Sequence, residues 1–245
     1  MAKLMLIDGN SLAYRAFFAL PTSLALASGQ VTNAVFGFTS MLINLLRDEQ
    51  PSHIAAAFDV SRQTFRLEKY PEYKAGRKSR PDLLREQWPH LEPLAEAFGF
   101  ANVHVEGYEA DDVIATLATR AKERGRPVMI VSGDRDVYQL VGDGTRVMTT
   151  SRGVTDTKVY DTEGVVERYG VPPELVPDLI GLKGDTSDNI PGVPGIGDKT
   201  AGQLVAQYGS LEGVLEHVDD LSPARARNLR EHAEQARESK ELATM

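Results

Sequence analysis

Three short runs along the chain are apolar at every position and bounded by polar residues: Leu4–Ile7, Ile54–Phe58 and Val128–Val131. A strand with one wet face alternates, so unbroken runs of this length predict strands buried on both faces of a parallel sheet. Between them, apolar positions recur at helical spacing over Ala34–Leu46, Pro81–Phe98 and Asp111–Arg124. In the last of these, Val113, Ile114, Leu117, Ala118 and Ala121 share one helix face. Weaker strand patterns fall at Ala101–Val105, Thr145–Thr149 and Lys158–Tyr160. Alternation of strand and helix predicts an α/β domain over residues 1–160, with a mostly parallel central sheet flanked by helices. From Asp161 the pattern changes to short helices punctuated by Val171-Pro-Pro and Ile190–Gly197, and residues 161–245 are expected to be all-helical. The charged, periodic pattern that starts at Ala224 still runs at Met245, as expected of a piece of a longer chain.

Composition narrows the chemistry. The 245 residues are 42% hydrophobic and 25% charged, as in an ordinary globular protein. No run approaches the ~20 apolar residues of a membrane span, and no signal peptide opens the chain, so no membrane partner is expected. There is no cysteine, which excludes disulfides and thiolate metal sites. The five histidines are scattered without zinc-ligand spacing. A metal held by this chain is therefore a hard, oxygen-liganded ion such as Mg²⁺ or Mn²⁺.

Nine acids supply the candidate ligands: Asp8, Asp59, Glu109, Asp111, Asp112, Asp134, Asp136, Asp185 and Asp188. Asp8, Asp59, Asp134 and Asp136 follow the carboxyl ends of predicted strands, the edge where open α/β sheets bind ligands. Glu109, Asp111 and Asp112 open a predicted helix, where capping would also account for them. Carboxylates gathered in this way repel one another unless cations hold them, which points to two-metal phosphoryl transfer. Nine acids exceed what two ions ligate directly, so some are expected to act through water.

A formal net charge of −8 speaks, as a sum, against a nucleic-acid partner, but the distribution reverses that reading. From Arg62 to Arg80, Arg62, Arg66, Lys69, Lys74, Arg77, Lys78 and Arg80 face only Glu68 and Glu72. Within this run Lys74, Arg77 and Lys78 could meet phosphates and Tyr73 could stack on a base. Gly192-Val-Pro-Gly-Ile-Gly-Asp-Lys-Thr200 does not fit a nucleotide phosphate loop, because Asp198 separates Gly197 from Lys199. It reads as a helix–hairpin–helix over about residues 179–207, whose exposed N–H groups at Gly192, Gly195 and Gly197, with Lys199, grip a phosphodiester.

Ile7-Asp-Gly-Asn-Ser, Phe58-Asp, Tyr73-Lys-Ala-Gly-Arg, Glu109-Ala-Asp-Asp, Ser132-Gly-Asp-Arg-Asp and Gly184–Gly197 together resemble the 5′-nuclease family of flap endonucleases and 5′→3′ exonucleases. Within that family the chain is most similar to the exonuclease domains that open bacterial DNA polymerase I. The resemblance implies a PIN-like nuclease core with a helical arch at about 62–89, and two Mg²⁺ or Mn²⁺ ions. It implies hydrolysis of 5′ flaps, nicks and RNA primer ends in replication and repair. The nine acids match the family's metal site, and Asp8, Asp59, Asp111 and Asp134, with Lys74 and Arg77, its catalytic residues. Arg15 matches a basic residue near the site, and the hairpin matches an element that binds duplex DNA and K⁺. The implied partners are nicked or branched duplex DNA with a 5′ single strand, RNA primer–DNA junctions and a covalently linked polymerase domain. A monomer in the bacterial cytoplasm, at the nucleoid, is expected. All the family's acidic positions are present, which argues against an inactivated relative. The competing classes are a non-catalytic DNA-structure-binding module and a phosphohydrolase of small phosphates; the latter would need neither hairpin nor basic run.

Overall fold

The computed structural model describes residues 3–245, the side chains of 151 and 152 excepted. The chain divides into two compact units. The first comprises residues 1–64, 79–137 and 142–160; the second comprises 65–78, 138–141 and 161–245.

The first unit is built on six strands: β1 (Leu4–Asp8), β2 (His53–Ala57), β3 (Ala101–Val103), β4 (Val128–Val131), β5 (Thr145–Arg152) and β6 (Asp156–Tyr160). Their order across the sheet is β3-β2-β1-β4-β5-β6, and only β6 runs antiparallel to its neighbour. All three continuous apolar runs are strands, and β4 is buried at every position. The chain leaves β1 through α1 (Gly9–Ala19) and α2 (Asn33–Glu49) to build β2 and β3 on one side. It then returns through α6 (Ala110–Glu123) to place β4 on the other side of β1. That reversal opens a crevice at the carboxyl ends of β1 and β4. Met5, Ile7, Phe38, Leu42, Phe58, Leu91, Met129 and Val131 belong to the core that holds these elements.

One helical reading changes and one helix is added. The pattern over Pro81–Phe98 is not one helix but α4 (Asp82–Gln87), a 3₁₀ turn at Trp88–His90, and α5 (Leu91–Ala97). Pro89 lacks the N–H needed to continue the α4 ladder. Helix α1 follows directly on β1, with no counterpart among the expected helices. Asp8 is its N-cap, with Oδ1 accepting from Ser11 N at 2.8 Å.

The second unit holds α3 (Phe65–Lys69) and then α7 (Thr162–Tyr169), α8 (Val176–Lys183), α9 (Asp198–Tyr208), α10 (Leu211–Glu216), α11 (Pro223–Glu231) and α12 (Ala233–Ala243). Leu179, Leu182, Val193, Ile196, Leu204, Val205, Leu211 and Leu229 are in its core. The expected all-helical region is therefore present, although the pattern from Ala224 divides into α11 and α12. The expected arch differs more. Over 62–80 there is only the short α3 followed by turns, and Phe65–Lys78 groups with the helical unit rather than the sheet. The reason lies at Arg66, which is 3% exposed and donates to Leu242 O at 2.8 Å and Thr244 O at 2.9 Å. Among the described residues no helix is long and apolar enough to cross a membrane.

Gly9 marks the tightest point beneath the crevice: a Cβ there would lie 2.2 Å from the Phe58 ring. Gly9→Ala is expected to destabilise the protein by ~1–3 kcal/mol through overpacking, measured by urea unfolding.

Candidate metal centre and nucleic-acid interface

Asp8 is the last residue of the central strand and is 4% exposed. Parallel pairing sets Asp8 beside Ala57 of β2 and Ile7 beside Val131 of β4, so Ser132 arrives next to the Asp8 carboxylate. Ser132 Oγ donates to Asp8 Oδ2 at 2.7 Å and accepts from Asp134 N at 3.0 Å. Asp134 Oδ1 in turn accepts from Asp136 N at 3.0 Å. Ser11 Oγ accepts from Gly133 N at 2.7 Å and ties the start of α1 to the loop after β4. Asp59, just beyond β2, accepts from Ala110 N at 2.7 Å and from Asn10 Nδ2. It thereby fastens the first turn of α6, which carries Asp111 and Asp112.

The charges of these carboxylates act on one another. Burial pushes the Asp8 carboxyl from its ordinary 3.8 up to about 7, with the charges of Asp134 and Asp59 adding to it. Hydrogen bonds from Ser11 and Ser132 offset part of that rise. At about 1.4 kcal/mol per pH unit, roughly 4 kcal/mol opposes ionisation of Asp8 in the folded protein. A cation would relieve that opposition, and the donor set is all oxygen, so the residues fit a hard divalent ion. Among the described residues, no group of three or more His, Cys, Asp or Glu side chains stands placed to hold a metal ion. Such an ion would keep several waters, as Mg²⁺ does.

The nine expected ligands do not share one environment. Asp8, Asp59, Glu109, Asp111, Asp112, Asp134 and Asp136 belong to the sheet unit, and Asp185 and Asp188 to the helical unit. Glu109 and Asp112 form a reciprocal capping box on α6, with Glu109 N donating to Asp112 Oδ2 at 3.0 Å. Asp185 Oδ1 accepts from Ser187 N at 2.6 Å and Ser187 Oγ at 2.7 Å.

Asp188 is engaged by the residues expected to meet DNA. Its carboxylate accepts from Tyr73 Oη at 3.0 Å and Arg77 Nη2 at 2.5 Å, and Lys74 Nζ stands 3.4 Å away. Burial alone would raise this carboxyl. The charges of Lys74 and Arg77, with hydrogen bonds from Arg77 and Tyr73, more than offset that and hold it below 3.8. Tyr73 is 6% exposed, so its ring is not a stacking surface: the phenol is drawn inward by the buried carboxylate. Lys78 is exposed.

In the expected hairpin, α8 and α9 flank residues 184–197, with Gly197 as the N-cap of α9 and Lys199 in its first turn. A Cβ on Gly192 would lie 2.2 Å from Lys183 O, so the loop closes on the end of α8 only with glycine there. Loop carbonyls are pinned from the C-terminal helices: Asn228 Nδ2 donates to Pro194 O, Gln235 Nε2 to Gly192 O, and Ser239 Oγ to Pro191 O. Arg15, on α1, donates through Nε to Gly153 O at 3.0 Å.

The sequence reading missed Ser11, Ser132, Asn10, Asn228 and Gln235 as supporting residues. The Asp-Gly-Asn-Ser and Ser-Gly-Asp-Arg-Asp motifs contained three of them. Their roles depend on partners more than 30 residues distant, such as Asp59 for Asn10 and Asp8 for Ser132.

The folded state holds the Asp8 proton to about pH 7 and the unfolded chain releases it near 3.8, so this group's stabilising contribution falls as pH rises between those values. In EDTA, stability of the wild type relative to Asp8→Asn is expected to drop by up to ~4 kcal/mol between about pH 4 and pH 7.5, read by urea unfolding. A flat difference would show that Asp8 ionises normally.

Residues 3–170 match the family model described as 5′-3′ exonuclease, N-terminal resolvase-like domain, and 171–245 match the 5′-3′ exonuclease, C-terminal SAM fold. DNA polymerase I of Mycobacterium tuberculosis is 54% identical over 88% of this chain and 24% of its own length. DNA polymerase I of Bacillus caldotenax is 50% identical over 99% of this chain and 28% of its own length. The chain thus spans about a quarter of the length of these curated relatives. Its fold is similar to that of the T5 5′-exonuclease with bound divalent zinc, at TM-score 0.80 and 24% identity, over 98% of this chain and 89% of that one. A second T5 structure, the D15 flap endonuclease in a pseudo-enzyme-product complex with DNA and metal ions, also gives TM-score 0.80 at 24% identity, over 98% of this chain and 88% of that one. With both halves of the chain matched by its models, this protein belongs to the 5′-3′ exonuclease family.

Proposed function

We propose that this chain is a structure-specific 5′ nuclease that hydrolyses phosphodiester bonds of DNA at 5′ flaps, nicks and RNA primer ends. The observation that carries this reading is the buried Asp8 carboxyl at the crevice, raised to about 7 with Asp59 and Asp134 contributing. A site that opposes its own ionisation is one in which divalent cations do most to complete the structure. Two Mg²⁺ or Mn²⁺ ions would be held by Asp8, Asp59, Asp111 and Asp134, with Glu109, Asp112 and Asp136 acting through water. When bound, such ions activate water and stabilise the departing oxygen. The divalent zinc named for one T5 structure and the metal ions named for the other favour a metal cofactor here too.

The chain's own residues do the positioning. Ser132 and Ser11 N fix the two Asp8 oxygens, while Ala110 N and Asn10 fix those of Asp59, so the ligand rotamers are set in advance. Lys74 and Arg77, with Lys78 and Arg15, would meet phosphates of the nucleic acid and offset their charge. The hairpin would grip the duplex through the N–H groups of Gly192, Gly195 and Gly197 with Lys199, and would hold a K⁺ ion as the family resemblance implies. A polymerase domain in the same polypeptide is the natural partner, since the relatives are DNA polymerases three to four times as long. Such a protein would act as a monomer at the nucleoid of a bacterial cell.

Asp134→Asn is expected to lower Mg²⁺-dependent cleavage of a labelled 5′-flap duplex by at least ~100-fold, while binding in EDTA changes by less than about threefold. Near-wild-type cleavage by that variant would sink the assignment. Wild-type binding without product in either Mg²⁺ or Mn²⁺ would favour a non-catalytic DNA-binding module.

A further inference from the structure

The segment around Lys74 is fastened to the loop 185–190 by more than the Asp188 carboxylate. Lys74 N donates to Asp188 O at 2.8 Å, and Asn189 Nδ2 donates to Glu72 O at 2.7 Å. Lys74 and Asn189 both have left-handed backbone, with φ of 55° and 57°. For a lysine that conformation costs roughly 1–2 kcal/mol, so local preference does not place it there. The contacts with Asp188 and its neighbours hold it instead. Exposure is uneven across the cluster: the Asp188 side chain is 6% exposed, whereas those of Lys74 and Arg77 are 20% and 44% exposed. Both cations are thus more accessible to solvent than the carboxylate they contact.

A guanidinium and an ammonium around one planar oxyanion is the same arrangement that receives the two anionic oxygens of a phosphodiester. We propose that Asp188 is the internal occupant of an anion site formed by Lys74 and Arg77, from which a backbone phosphate of a single nucleic-acid strand displaces it. This rests on the nucleic-acid reading above. The exchange replaces one set of ion pairs with another and breaks no covalent bond. Because the docked state includes the strained turn at Lys74, the incoming phosphate has less to overcome. Asp188 thereby sets a threshold: an isolated small anion competes poorly, whereas a strand that also engages other basic residues displaces it.

The test is fluorescence anisotropy with a labelled single-stranded oligodeoxynucleotide of about a dozen nucleotides, in EDTA at low salt. If Asp188 occupies the site nine-tenths of the time, Asp188→Asn should bind about tenfold more tightly. Asp185→Asn removes the same charge from the same loop, but its carboxylate sits on Ser187 rather than on the cations. It should shift affinity by less than about twofold. The tightening should vanish when Lys74→Ala and Arg77→Ala are combined with Asp188→Asn. Tyr73→Phe keeps the buried ring and removes only the hydroxyl, so it reports on the same contact should Asp188→Asn fold poorly. Its expected gain is about two- to threefold, one hydrogen bond's worth. Equal shifts in the two aspartate variants, or weaker binding by Asp188→Asn or Tyr73→Phe, overturn the proposal. A wild-type chain that binds while Asp188→Asn binds no better refutes this inference alone. One that does not bind at all refutes the nucleic-acid reading as well.

Discussion

Asp8 lies at the end of the central strand, buried, with the Ser11 amide and the Ser132 hydroxyl on its oxygens and the charges of Asp59 and Asp134 acting on it. Much of the sheet unit can be understood as the apparatus that keeps this carboxylate in place. Parallel pairing of β1 with β2 and β4 brings three loops to one edge. The start of α1 is capped by Asp8 itself, and Gly9 lets that turn lie against Phe58. The Ser11–Gly133 contact then ties the α1 start to the loop that carries Asp134. Removing charge from water in this way is unfavourable in isolation, and it persists because every neighbouring element is positioned around it.

The helical unit shows the opposite solution to the same problem. Its buried carboxylate, Asp188, is answered internally by Lys74, Arg77 and Tyr73, and its acidity moves down instead of up. One buried acid thus has other acids acting on it, and the other has cations of its own chain beside it. That contrast separates two residues which, as members of one acidic set, look equivalent.

Legibility in the sequence followed the range of the interactions concerned. The strands at Leu4–Ile7 and Val128–Val131 could be read because burial on both faces leaves an unbroken apolar run, and the face of α6 because its packing is periodic. The apolar periodicity runs straight through Pro89, although the missing N–H of that residue ends the helix there. The basic run at 62–80 gave no sign of its buried members, because charge alone does not say where a side chain points. Arg66 finds its carbonyl partners at Leu242 and Thr244, and Tyr73 its carboxylate at Asp188, only once distant segments have packed.

The sequence by itself determined the α/β order of elements, the change to helices after Asp161, the hard-cation character of any metal site, and the candidate acids. These follow from local periodicity and side-chain chemistry, which need no knowledge of what lies nearby in space. Tertiary structure decided which acids do what: that Asp8 is the buried, proton-holding member, that Glu109 and Asp112 spend hydrogen bonds on capping α6, and that Asp188 is bound to cations. A carboxylate's behaviour is set by its desolvation and by charges within a few ångströms, and both are fixed only when strands and loops far apart in sequence come together.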